Sequence, residues 1–208
     1  MEFDLSQLTP DIRHLDDMRN VLHDKEFSKI QSNLELYSMY RGLEEKDGLR
    51  YDITIVPAKM LGDEFVKTKG HYHIGAYGEL YTVLEGRAIY LMQKIGSTGA
   101  IEFEKIGRSG NIDDVYAVEA KKGDVVIIPS FYGHVTINPS ETEELKMANW
   151  VSKDCKSDYS DYEKLQGACW YFTKSGWVKN ENYRNVPGLR FESPINKIPE
   201  NLDFLKNG

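Results

Sequence analysis

The chain has 208 residues, 40% of them hydrophobic, and a formal net charge of −7 at pH 7, which suits one domain with a modest extension. With 33 Asp and Glu against 26 Lys and Arg, it lacks the clustered cations that a nucleic-acid surface demands. No apolar run approaches the roughly 20 residues needed to cross a bilayer, so no membrane span is expected.

Residues 1–50 read as a polar, partly helical N-terminal extension. The opening MEFDLSQLTPDIRH has neither a basic n-region nor an apolar h-region, so no secretory signal is expected. Cys155 and Cys169 are too few for a disulfide framework, and the two readings together point to a reducing cytoplasm. Leu15, Met18, Val21 and Leu22 recur at spacings of three and four, which predicts an amphipathic helix after Asp16-Asp17. A second, weaker helical pattern runs over residues 26–37.

Residues 51–180 change character. Short β-rich runs follow one another: YDITIVPA, LYTVLEG, RAIYLMQKI, VYAVEA, DVVIIP, HVTIN and LKMANWV. Turn residues such as Gly62, Gly70, Gly86, Gly123-Asp124 and Asn138-Pro139 punctuate them. Many closely spaced strands without intervening helices predict an all-β sandwich or barrel. ACWYFTKSGWVKN adds a strand pair turning at Ser175-Gly176, and residues 181–208 form a polar C-terminal tail.

The chemistry concentrates in two strand-turn-strand segments. In TKGHYHIGAYGELYTVLEG, His71 and His73 are two residues apart, so on a strand they point to one face. Tyr72 between them faces away from that side. Glu79 follows a glycine-bearing turn and opens the next strand. In GDVVIIPSFYGHVTIN, His134 opens a strand after Pro129. Three imidazoles and a carboxylate suit one divalent ion and leave positions open for water or substrate. An HxH pair alone is commonly incidental, and a lone His is usually a packed or solvated residue. Concentration tips the balance, because three of the five histidines fall in these segments. His14 and His23, in the N-terminal region, read as structural or solvated.

The two segments resemble the paired motifs of the cupin superfamily, reading His71-x-His73-(x5)-Glu79-(x6)-Gly86 and Gly123-(x5)-Pro129-(x4)-His134-(x3)-Asn138. That resemblance implies a double-stranded β-helix barrel. Phe131 stands where the motif usually has glycine, with Gly133 beside the histidine instead. Within the superfamily, Thr68-Lys69-Gly70 ahead of HYH, Glu79-Leu80-Tyr81, PSFYGHVTIN, Asn149-Trp150 and Ser157-Asp158-Tyr159 resemble the cupin-type glucose-6-phosphate isomerase family of archaea and some bacteria.

The resemblance implies a cytoplasmic enzyme of glycolysis or gluconeogenesis that interconverts glucose 6-phosphate and fructose 6-phosphate. It further implies a homodimer with one divalent metal per subunit, iron(II) first, with manganese, zinc or nickel as alternatives. By the same resemblance, His71, His73, Glu79 and His134 hold the metal, and Thr54, Thr68 and Gly70 contact the phosphate. Tyr81 and Tyr159 match active-site tyrosines, and Trp150 stands at a further aromatic position often occupied by tyrosine. A family histidine near Tyr159 is replaced by Lys156 or Ser157. Lys69, preceding a glycine, reads as solvated. Glu79 is the expected base for proton transfer between C1 and C2, although metal coordination weakens a carboxylate base. A hydride shift would avoid that conflict. Two alternatives stay open: another metal-dependent cupin enzyme, such as a dioxygenase or other sugar isomerase, and a non-catalytic sugar-binding cupin.

Overall fold

The computed structural model describes residues 3–96 and 110–206. Its strands in chain order are β1 (Asp11–His14), β2 (Glu35–Lys46), β3 (Leu49–Val56), β4 (Met60–Leu61), β5 (Glu64–Phe65), β6 (Tyr72–Ile74), β7 (Glu79–Glu85), β8 (Arg87–Ile95) and β9 (Ile112–Lys121). After them come β10 (Val125–Ile128), β11 (Tyr132–Ile137), β12 (Leu145–Ser152) and β13 (Lys156–Asp158). The single-turn helix α1 (Ser160–Lys164) precedes β14 (Trp170–Thr173), β15 (Gly176–Lys179) and β16 (Arg190–Glu192). Among the described residues no helix is long and apolar enough to cross a membrane.

A six-stranded sheet in the order β1-β2-β3-β12-β7-β10 lies opposite a four-stranded sheet in the order β11-β8-β9-β16. Pairing is antiparallel except between β16 and β9. The fold is the double-stranded β-helix barrel implied by the cupin resemblance, and it agrees with the sandwich or barrel expected from the strand spacing. Between the sheets, Val83, Tyr90, Met92, Val115, Ile128, Val135 and Met147 form part of one buried cluster. Burying such side chains contributes roughly 1.5–3 kcal/mol each, which drives closure of the barrel.

Terminal segments cover the outer face of the larger sheet. Phe3 and Leu5 pack on Tyr51, Ile53 and Ala148, while Leu202 and Leu205 pack on Leu49, Leu80 and Val125. The tail is also tied by β16 alongside β9, where Arg190 pairs with Asp114 at 2.7 Å.

The predicted N-terminal helix is absent. Residues 15–17 and 19–21 form two 3₁₀ turns instead, yet Leu15, Met18, Val21 and Leu22 are all fully buried. A 3₁₀ turn has three residues per turn, so Leu15, Met18 and Val21 share one face without an α-helix. The second predicted helix, over 26–37, is likewise replaced by a 3₁₀ turn at Phe27–Lys29 and the start of β2. Every β-rich run named from the sequence is a strand in the structure, and the strand pair turns at Lys174-Ser175, with Thr173 opposite Gly176.

Phe131 has φ of 70°, the left-handed region, and its side chain is 61% exposed. A side chain in that conformation costs of order 1 kcal/mol, with little burial here to offset it. Phe131→Gly is therefore expected to raise the denaturation midpoint by up to about 1 kcal/mol in stability. A drop of similar size in urea titration would mean that the ring makes a contact that outweighs the strain.

Candidate metal centre and substrate cavity

β6 and β11 meet at His71 and His134. Each histidine donates its backbone N–H to the other's carbonyl, at 3.3 and 3.0 Å, so the two side chains sit side by side. Their rings are 4.5 Å apart between centroids, and the His73 ring lies 5.2 Å from that of His71. Glu79 enters from β7, and its Oε2 lies 3.2 Å from His134 Nε2 and 3.4 Å from His73 Nε2. The residues predicted as ligands, His71, His73, Glu79 and His134, thus come together, with donor atoms all within 4.8 Å of one another.

This cluster fits a divalent cation. Ligand bonds of about 2.1 Å at right angles put neighbouring donors about 3 Å apart, close to the spacing here. Glu79 Oε2 is buried without a directed hydrogen bond, as expected of an atom aimed at a shared central point rather than at either imidazole. Three nitrogens and one oxygen suit iron, manganese, zinc or nickel better than calcium.

Neighbouring groups fix the ligands in place. His73 Nδ1 donates to the Tyr77 carbonyl at 3.0 Å, which turns Nε2 toward the cluster. Asn149 Nδ2 donates to Glu79 Oε1 at 2.7 Å. Tyr72, facing away from the ligands as predicted, accepts a 2.8 Å bond from the fully buried Gln93 Nε2. A Cβ on Gly133 would stand 2.5 Å from the Tyr72 ring, so the residue before His134 has no room for a side chain.

Burial holds His71 well below the ordinary imidazole range, with His134 and His73 pushing the same way. Burial also lowers His134. Burial opposes charge on His73 too, but Cys155 and Glu79 outweigh it and raise the imidazole to about 10. Burial alone would raise Glu79, yet His134 and His73 hold its carboxyl well below the usual range. Tyr81 moves the other way: burial first, then the Glu79 charge, keep its proton on. Its hydroxyl lies 3.4 Å from His134 Nε2.

The cluster lines a cavity together with residues of β3, β7 and β12. Strand register explains which residues line it. Met147 pairs with Thr54, Asn149 with Asp52 and Tyr81, and Val151 with Glu79, so all of these share the sheet's inner face. Thr68, Gly70 and Tyr159 line it as well. The Thr68 hydroxyl accepts the Thr136 N–H at 3.0 Å and keeps its own proton for another partner. Gly70 has φ of 81°, and a Cβ there would stand 2.5 Å from the Tyr162 ring.

Two sequence expectations are corrected. Trp150 does not line the cavity, because one step along β12 from Asn149 turns it to the opposite face, where it packs 4.9 Å from the Tyr51 ring. Lys69 is not solvated: its side chain is 11% exposed, on the cavity wall, with Nζ 2.5 Å from Glu163 Oε1. Sequence reasoning also missed Asn149, Tyr37, Arg41, Asp52 and Cys155, which line the same space. The period-two alternation of LKMANWV contained the signal for Asn149. His23, as expected, is structural, its ring 4.9 Å from that of Tyr171.

The family profile described as Glucose-6-phosphate isomerase (GPI) matches residues 10–188. The glucose-6-phosphate isomerase of Thermococcus litoralis is 29% identical over 154 residues, 71% of this chain and 72% of that protein. That of Thermococcus onnurineus is 27% identical over 173 residues, 81% of this chain and 82% of the relative. Among solved structures, an oxalate oxidase in complex with the substrate analogue glycolate is similar at a TM-score of 0.41, with 15% identity over 59% of this chain and 54% of that one. With the profile running through both ligand segments and across most of its length, the chain belongs to the glucose-6-phosphate isomerase family.

Proposed function

We propose that the protein is a metal-dependent aldose–ketose isomerase that interconverts glucose 6-phosphate and fructose 6-phosphate. The observation that carries this reading is the convergence of His71, His73, Glu79 and His134 in a cavity whose wall also presents Thr54, Thr68 and Gly70. One divalent cation per chain, iron(II) first, suits the donor set. Bound there, it would supply Lewis-acid stabilisation of the negative charge that develops on the substrate's oxygens.

The chain's own groups do the rest. The hydroxyls of Thr54 and Thr68 and the Gly70 N–H serve as donors to the phosphoryl group, and holding that remote group orients the reacting carbons. Glu79 is ionised and carries the proton between C2 and C1. Its Oε1 is tethered by Asn149, which keeps the carboxylate at the cluster through the transfer. Tyr81 keeps its proton at neutral pH and donates a hydrogen bond to a substrate oxygen. Tyr159, whose ring is 5.5 Å from that of His71, closes one side of the cavity.

A coupled assay tests the reading: fructose 6-phosphate is supplied, and glucose 6-phosphate is detected through its dehydrogenase. Turnover is expected, to be lost with EDTA and restored by iron(II) or manganese(II). His134→Ala is expected to lose bound metal, measured by elemental analysis. No turnover under any metal loading would sink the assignment, and full metal content in His134→Ala would remove His134 from the ligand set.

A further inference from the structure

Lys69 sits between two groups assigned above to the phosphoryl site, Thr68 and Gly70, and its ammonium lies 5.3 Å over the Tyr159 ring. Its partner Glu163 is on α1, with 41% of the side chain exposed against 11% for Lys69. The other cations on the cavity wall are differently placed. Arg41 and Arg50 both face Asp52, at 4.0 and 3.0 Å, and that carboxylate is buried and also accepts the Gly42 N–H at 2.8 Å. Arg50 is committed to that fixed anion, and Arg41, itself 41% exposed, lies nearer to Asp11, at 3.0 Å. Among the described residues, the mostly buried Lys69 ammonium pairs with one carboxylate, and that carboxylate is 41% exposed.

We propose that Lys69 is the cation that selects phosphorylated sugars, and that the incoming phosphoryl group displaces Glu163 from it. The inference rests on the isomerase reading and adds a recognition element to it. Threonine hydroxyls and a backbone N–H hold a phosphate by geometry but leave its two negative charges unbalanced. Lysine serves phosphate as a compact point charge, and charge-assisted bonds are about twice as strong as neutral ones. The pair it gives up is cheap to break, because ion pairs with an exposed partner contribute little. Before substrate enters, Glu163 keeps the Lys69 ammonium from lying unpaired in a mostly buried position. After entry, Glu163 is released to solvent, while α1 stays anchored through the fully buried Tyr162.

Isothermal titration of the metal-loaded protein with inorganic phosphate tests both halves. Lys69→Met is expected to weaken phosphate binding about ten- to hundred-fold. Its KM for fructose 6-phosphate should rise by a similar factor, with kcat changing much less. Lys69→Arg should retain most of the affinity, which separates lost charge from lost packing. Glu163→Gln removes the competitor and is expected to tighten phosphate binding about two- to five-fold. Unchanged affinity in Lys69→Met overturns the assignment of Lys69. Weaker binding in Glu163→Gln overturns the displacement, since Glu163 would then be helping to position the ammonium. If Lys69→Met fails to fold by circular dichroism, Glu163→Gln and Lys69→Arg still decide. Wild-type protein that isomerises but binds no phosphate overturns this inference alone, whereas wild-type protein that does neither overturns the isomerase reading.

Discussion

Glu79→Gln is expected to lower kcat for fructose 6-phosphate isomerisation by about 10²- to 10⁴-fold, with a far smaller change in KM. Glutamine keeps the shape of the side chain but gives up the negative charge and the proton-accepting oxygen. Glu79 stands 4% exposed between the Nε2 atoms of His73 and His134, so both its charge and its position serve the cluster. Metal content must be measured beside the kinetics. Full metal with lost turnover marks Glu79 as the proton carrier. Lost metal marks it chiefly as a ligand and favours a hydride shift, for which no base is needed. Near-normal kcat with full metal would dismiss both roles.

The second large effect lies away from the cavity. Glu64 is fully buried, Lys67 is 3% exposed, and the two form an ion pair. Lys67 Nζ also donates to the Val21 carbonyl at 2.9 Å and lies 4.7 Å over the Tyr171 ring, while Glu64 Oε2 accepts the His23 N–H at 2.9 Å. The pair thus fastens the N-terminal 3₁₀ segment to the barrel. Glu64→Gln keeps the side-chain shape but leaves a buried ammonium uncompensated, and is expected to cost about 3–5 kcal/mol. At roughly 2–4 °C per kcal/mol for a chain of this size, Tm should fall by about 6–20 °C. Combining Glu64→Gln with Lys67→Met removes both charges, and the double variant should be more stable than Glu64→Gln alone. Additive losses in thermal melts would show that the two charges do not depend on each other.

The barrel strands were legible because each is a short run rich in β-branched, aliphatic and aromatic residues bounded by turn residues. The N-terminal region was not, for two separate reasons. The three-residue spacing of Leu15, Met18 and Val21 is shared by α- and 3₁₀-helices, and only the tertiary setting chose between them. In β2 the alternation is broken by an irregularity in pairing between Tyr40 and Glu44, which hides a twelve-residue strand from any periodicity count. At the site, the His71, His73, Glu79 and His134 cluster was legible because three of the five histidines concentrate in two strand-turn-strand segments. Substrate contacts are harder, since Thr, Tyr and Trp are ordinary strand residues. Trp150 and Asn149 are adjacent in the chain, so they face opposite ways, and the register of β12 fixes Asn149 as the inward one. Lys69 was misread because its anionic partner, on α1, lies far along the chain.

The reciprocal backbone bonds between His71 and His134 carry a consequence for assembly. The two segments are distant in sequence and meet only when β6 and β11 are docked, so no local peptide offers this coordination sphere. Closing so long a loop is entropically costly, and a transient encounter with a cation in the unfolded chain cannot recover that cost. A cation held by all four residues would therefore enter after barrel closure instead of templating it, unlike a zinc finger, whose metal drives folding. The choice of ion would then fall to what the finished protein meets in its surroundings, and exchange of one metal for another would require no unfolding.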